Sequence, residues 1–339
     1  MRAHPKVTRR AAVVVALALS LSACGVSKKE SGSSGSNGSA ASAAPIEGLR
    51  ILVPNSAGSG YDVTARLVAK DLQDAGLSKT VEVFNVAGAG GTVGLQRTVN
   101  EKGKDDLLMQ MGLGVVGASY TNKSKATLND TTPIARLIQE SEAIVVPKDS
   151  SYDDLASLIE AWKANPGKVP VGGASNAGGP DHLTPMLMAK AVGLDPKQVN
   201  YVAYDGGGEL MTALLGSKIA FGATGISEVA EQAKAGEVKV LAVTSEKPVD
   251  GVDAKTLTDQ GVDLTFVNWR GIVAPPGISD ARKAEFIDLL TKMNASEQWK
   301  KTLAEQGWTD AFITGDEFKA YLTSESDRVA GVLKELGLA

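Results

Sequence analysis

Pro54-Asn55-Ser56-Ala57-Gly58-Ser59-Gly60-Tyr61-Asp62 and, about thirty residues on, Asn85-Val86-Ala87-Gly88-Ala89-Gly90-Gly91-Thr92-Val93-Gly94 share one grammar. Each follows a short β-branched run and precedes a stretch of helical periodicity, so each predicts a strand, a glycine-rich turn and a helix. Such a turn leaves backbone N–H groups unpaired at the positive end of the helix dipole, with no side chain to block close approach. Two in succession predict a cradle for one small carboxylate. Its expected contacts are Asn55, Ser56, Ala57, Gly58, Tyr61 and Asp62 from the first turn, with Gly88, Ala89, Gly90, Gly91 and Thr92 from the second.

Working outward, strand-like and helical runs alternate. Arg50–Val53 precedes a helix over 62–75 that Asp62 is placed to cap, with Val63, Leu67, Val68 and Leu72 on its packed face. Val81–Phe84 precedes a helix over 92–100, and Leu107–Gln110 follows. A second series starts after Ile144-Val145-Val146-Pro147: helices over 152–164, 182–192, 209–215 and 227–235 among strands over 168–172, 200–204, 218–223 and 238–243. The run 271–274 ends at Pro275-Pro276-Gly277, after which helices over 280–293, 296–306 and 316–336 return to complete the first unit. The pattern predicts an α/β protein with a mostly parallel sheet.

The N-terminus is of another kind. Residues 1–24 have a basic start (Arg2, Lys6, Arg9, Arg10) and an apolar run from Ala11 to Leu21, the pattern of a signal peptide. They end in Leu21-Ser22-Ala23-Cys24, which resembles the bacterial lipobox, so Cys24, the only cysteine, is the expected lipidation site and membrane anchor. Residues 25–45 are mostly Ser, Gly and Ala, a flexible tether. Removing the signal takes four of 35 basic residues and none of 39 acidic ones, leaving 31 against 39 and a net charge of about −8. That balance argues against nucleic acid as a partner.

In this order and spacing, several short motifs resemble the substrate-binding proteins of tripartite tricarboxylate transporters, the TctC or Bug receptors. They are Val53-Pro54 with Ala57-Gly58, Asp62 and Arg66; Asn85 with Gly88–Gly91 and Gly94; Asn165-Pro166-Gly167-Lys168; His182-Leu183; Tyr204 with Gly206; Ala242-Val243-Thr244; and Trp269 with Gly271, Ala274-Pro275 and Gly277. The resemblance covers nearly all of 46–339. It implies a type II periplasmic-binding-protein fold: two α/β lobes joined by two crossovers, with the ligand in the cleft between them. Lobe 1 would comprise 46–144 and 271–339, and lobe 2 would comprise 145–270. It also implies a monomeric extracytoplasmic receptor, lipid-anchored here, that delivers a tri- or dicarboxylate to small and large membrane permease subunits without a cofactor.

Neither turn is a nucleotide loop. With Gly88 and Gly90 as the first two glycines of G-x-G-x-x-G, Val93 stands where the third belongs and Gly94 is one residue late; in the first turn, Val63 fills that place. Arg66 and Arg97 lie inside their helices and are expected to pair within their own lobe. A carboxylate held by four to six N–H or hydroxyl groups, each on the order of 1.5–3 kcal/mol, needs no arginine clamp to reach the ~8 kcal/mol of micromolar binding.

On the other side of the cleft the expected contacts are Ser175, Asn176, Asp181, His182, Tyr204, Gly207, Gly208, Thr224 and Ser227, with Gly112 a weaker candidate after the third strand. Asp181 reads equally as a helix cap. Glu209 and Glu228 read as first-turn acids that stabilise a helix N-terminus; as cleft residues they would repel a second carboxylate unless the ligand carries an amine or a cation. His182 is the only histidine beyond the signal, so a polyhistidine metal site and a Cys–His pair are excluded, and a Ser–His–Asp triad would have to use it. The alternatives to a transport receptor are a lobed hydrolase or transferase acting on an acidic metabolite, and a carboxylate sensor feeding a kinase.

Overall fold

In a computed structural model, which describes residues 46–339, both quoted turns join a strand to a helix. Leu49–Val53 (β1) leads into Gly60–Asp74 (α1), and Val81–Asn85 (β2) leads into Thr92–Asn100 (α2). The expected signal, Cys24 and the tether lie outside the described residues. β1 runs parallel between β2 and Leu107–Gly112 (β3), with Ile51 opposite both Val83 and Leu108. Ile51, Leu52 and Val53 are fully buried, because helices cover both faces of the sheet, as the unbroken apolar run requires. The buried face of α1 is Ala65, Val68 and Leu72, and Val63 and Leu67 only flank it.

A second parallel set is built from Val171–Gly173 (β5), Tyr201–Ala203 (β6) and Phe221–Gly225 (β7). The expectation of a mostly parallel sheet needs correction at the junction. Leu113–Thr121 (α3) feeds Thr132–Pro147 (β4), a strand of 16 residues that belongs to both sheets. From Thr132 to Ser141 it pairs antiparallel with Val267–Ala274 (β9). From Glu142 onward it pairs antiparallel with β7 and with Val238–Val243 (β8). β9 also lies antiparallel on β3. β4 is thus shared by both sheets, the chain returns from the second to the first between β8 and β9, and both sheets gain antiparallel pairing beside their parallel strands.

The two passages are tied where they meet. Thr244, just past β8, donates its N–H to Ser141 Oγ (2.9 Å) and its hydroxyl to Phe266 O (2.6 Å), and its Oγ1 accepts the Glu142 N–H (2.9 Å). The helices between β4 and β9 are Leu155–Ala164 (α4), Pro180–Ala191 (α5), Gly207–Leu215 (α6) and Ala230–Lys234 (α7). Beyond β9, Asp280–Ala295 (α8), Glu297–Gln306 (α9), the strand Thr309–Thr314 (β10) and Gly315–Glu335 (α10) return to the first sheet. Phe286, Leu290, Phe318 and Val329 share one core with Ile51 and Leu108. The second sheet has its own, around Trp162, Val171 and Phe221 on one face and Leu210, Leu214 and Val145 on the other.

Candidate functional site: a cleft between two sheets

The turns after β1 and β2 face the loops after β5 and β6 across a cleft of about 330 Å³. This is the carboxyl end of the parallel strands, where open α/β sheets leave a crevice.

The near wall is braced from behind. Ser59, not Asp62, is the cap of α1. Asp62 is buried instead and accepts three bonds of 2.9 Å, from the Gly58 N–H, Arg66 Nε and Asn85 Nδ2. The same Asn85 amide donates to Asn55 O, so the pair fixes the first turn against the second. Burial pushes the Asp62 carboxyl up, but the bonds from Arg66, Gly58 and Asn85 outweigh it and hold the group below the usual carboxylate range. In the second turn, four successive residues from Gly88 to Gly91 have positive φ, Ala89 among them at 48°. Asn122 Nδ2 (2.8 Å) and Thr92 Oγ1 (3.0 Å) both donate to Ala89 O and hold it there. Gly94, one residue late for a dinucleotide site, serves packing: a Cβ there would stand 2.9 Å from Pro54 Cβ and 3.0 Å from Leu52 Cδ2, so the glycine lets α2 lie close on β1.

The expected contacts divide accordingly. Asn55, Ser56 and Tyr61, Gly88 to Gly91, and Ser175, Asn176, Asp181 and Tyr204 line the cleft together. Ala57, Gly58, Asp62 and Thr92 do not line it; Gly58, Asp62 and Thr92 belong to the bracing behind it, and Ala57 faces solvent. Gly112 ends β3 against Tyr61 and Trp269. Gly207 and Gly208 open α6 one step back from Asp205 and Gly206, which do reach the cleft. Thr224 and Ser227 spend their hydroxyls on acids, each at 2.6 Å: Thr224 on Glu228 Oε2 and Ser227 on Glu140 Oε2. His182 packs edge-on to Tyr201, accepts the Gly178 N–H at Nδ1 (3.3 Å) and does not line the cleft. Burial lowers its pKa to about 4, so the ring is neutral.

What the sequence reading missed is the floor. Asn268 and Arg270, two apart on β9, both line the cleft, while Trp269 between them turns into the first core and donates to Glu325 (2.9 Å). Arg270 is 3% exposed and pairs with Glu140 of β4, which is fully buried; a second guanidinium nitrogen donates to Thr64 Oγ1 (3.2 Å). Around this ion pair stand three more acids. Burial and the charges of Asp181, Glu140 and Glu228 push the Glu142 carboxyl well up, and neither of its oxygens has a hydrogen-bond partner. Asp181 is pushed up to about 7 by burial and by Glu228, although the Ala174 N–H donates to it (2.7 Å). Burial also raises Glu228, against the pull of the Thr224 hydroxyl. The useful signal was the period of two across Trp269, which puts an amide and a guanidinium on one face of a strand.

Comparison with known proteins fits this architecture. The family model for the tripartite tricarboxylate transporter family receptor matches residues 64–338. The chain belongs to this receptor family. It is therefore grouped with solute-binding receptors and not with enzymes. The protein BugT of Bordetella pertussis is 29% identical over 304 residues, 86% of this chain and 90% of that one. Among solved structures, MatC from Rhodopseudomonas palustris with bound malate superposes with a TM-score of 0.75 at 19% identity, over 85% of this chain and 99% of that one. The R. palustris protein Rpa4515 with adipate gives 0.77 at 20%, over 86% and 98%. These structures share the two-lobed α/β fold of this receptor. Among its described residues, no helix is long and apolar enough to cross a membrane, and no group of three His, Cys, Asp or Glu is placed to hold a metal.

Proposed function

We propose that this chain is an extracytoplasmic receptor, lipid-anchored through Cys24, that encloses a small organic carboxylate and hands it to the permease subunits of a tripartite transporter. The observation that carries the reading is the cleft itself. Two braced glycine-rich turns face Ser175, Asn176 and Tyr204 across a space of about 330 Å³, the size of a small metabolite's site. Malate in MatC and adipate in Rpa4515 support a carboxylate as the solute. The two lobes are taken as the two sheets with their helices. Strand pairing changes hands at Ser141–Glu142 and again between Thr244 and Val267, a few residues from the boundaries at 144 and 270 suggested by sequence. Closure of the lobes over the solute supplies the signal for delivery, because a ligand that contacts both lobes stabilises the closed form over the open one.

Calorimetric titration of the purified protein with citrate, malate, adipate, aspartate, glutamate and aromatic acids tests the proposal. At least one is expected to bind with a micromolar dissociation constant, about −8 kcal/mol. A flat titration with all of them would overturn it.

A further inference from the structure

We infer that the solute is a carboxylate that also carries a protonated amine, with the amine held by Asp181, Glu228 and Asn268 on the far side of the cleft. This rests on the receptor reading above and narrows its substrate class.

The first observation is the charge lining the cleft. Asp181, Asp205 and Glu228 line it, and among the described residues Arg270 is the only cation that does. Arg270 is already matched by Glu140, with both side chains at most 3% exposed. A solute with two or three carboxylates would therefore bring its second negative charge towards acids with no free cation to receive it. Like charges in a desolvated cleft repel far more strongly than in water. A carboxylate whose other end is an ammonium meets the opposite situation: the acids become its counter-ions.

The second observation is independent of charge. Asn268 lines the cleft, is 5% exposed, and its Oδ1 accepts no hydrogen bond. Buried side-chain oxygens are seldom left without a donor, and one facing a ligand cavity marks where a donor belongs. An ammonium has three N–H donors and no acceptor, whereas a carboxylate has none to offer. Two residues along the same face of β9, Arg270 Nε is a buried donor without an acceptor. An unfilled acceptor and an unfilled donor side by side on the floor match a zwitterion better than a dianion.

The test uses solutes matched in length. Succinate is compared with β-alanine, glutarate with 4-aminobutyrate and adipate with 6-aminohexanoate, alongside aspartate and glutamate, by calorimetry on the whole protein. At least one amino acid is expected to bind ten times more tightly than every dicarboxylate. The Glu228→Gln variant, checked for folding by thermal melting, should bind that amino acid at least tenfold more weakly. If dicarboxylates bind more tightly, the inference fails and the receptor reading stands; this comparison needs no variant. If the amino acid wins but Glu228→Gln leaves its affinity unchanged, the assigned amine site is wrong. Binding of neither class overturns this inference, while the receptor reading is decided by the wider panel that includes citrate and the aromatic acids.

Discussion

Arg270→Met should destabilise the empty receptor by about 3–5 kcal/mol at pH 8, the usual cost of removing one partner from a buried ion pair. The cause is what remains. Among the described residues, Arg270 is the only cation lining the cleft, beside Glu140, Glu142, Asp181 and Glu228, and without it Glu140 is a buried charge with no counter-ion. The sign of the pH dependence follows from the acids. Asp181 has a pKa of about 7 in the folded protein against an ordinary 3.8, so between those values the native state binds more protons than the unfolded chain. Stability contributed by its protonated form is present at low pH and is lost as the pH rises towards 7. Removing Arg270 makes ionisation of the neighbouring acids costlier still, so the difference between wild type and variant should be largest at pH 8 and shrink at pH 5. Urea denaturation at both values measures this. The double variant with Glu140→Gln should recover much of the loss, because no unpaired charge then remains at that point. A loss below about 1 kcal/mol at pH 8 would show that the ion pair does not hold the floor together.

Gly117→Ala should do the opposite: leave the fold intact and cripple binding. Gly117 lies on α3 of the first lobe, and a Cβ there would stand 1.9 Å from the carbonyl oxygen of Gly178, in the loop between β5 and α5 of the second. Thr121, one turn on, donates its hydroxyl to Ala177 O in the same loop (3.2 Å). The two lobes therefore touch backbone to backbone beside the cleft, and any side chain at 117 wedges them apart. Overpacking of this kind costs about 1–3 kcal/mol. Charged against the closed form alone, that is a tenfold to hundredfold loss of affinity. The same substitution favours the helix by about 0.8–1 kcal/mol, so thermal stability should hold or rise while the dissociation constant increases. Equal affinity in variant and wild type would mean that binding does not require the Gly117–Gly178 contact.

How far the sequence reaches can be judged from particular elements. α2 at Thr92–Asn100 and β8 at Val238–Val243 fall where periodicity places them, because each is a short run with clear punctuation on either side. The strand β4 was not legible beyond its last four residues. Between Thr132 and Glu142 it carries Pro133, Arg136, Gln139, Glu140 and Glu142, which break any apolar alternation and read as a loop. Glu140 is buried beneath the floor of the cleft and pairs with Arg270, so one of the residues that concealed the strand is the one that holds the floor's guanidinium in place. The glycine turns were legible because backbone conformation leaves a local mark in sequence. Arg270 was not, since its significance depends on Glu140, 130 positions away and joined to it only by the pairing of β4 with β9. Asp62 shows a subtler error: its position suits a cap, but a serine three residues earlier takes that role and frees the carboxylate to bind the two turns together.

The central claim is that one solute sits between the two glycine-rich turns and the second-lobe loops. Its most direct test is a crystal structure with the tightest-binding acid. The account predicts the carboxylate within hydrogen-bond distance of the Asn55–Gly60 and Ala87–Gly91 turns, the rest of the molecule reaching Ser175, Asp181 and Asn268, and Gly117 still against Gly178. A solute bound elsewhere, with these turns unoccupied, would contradict it.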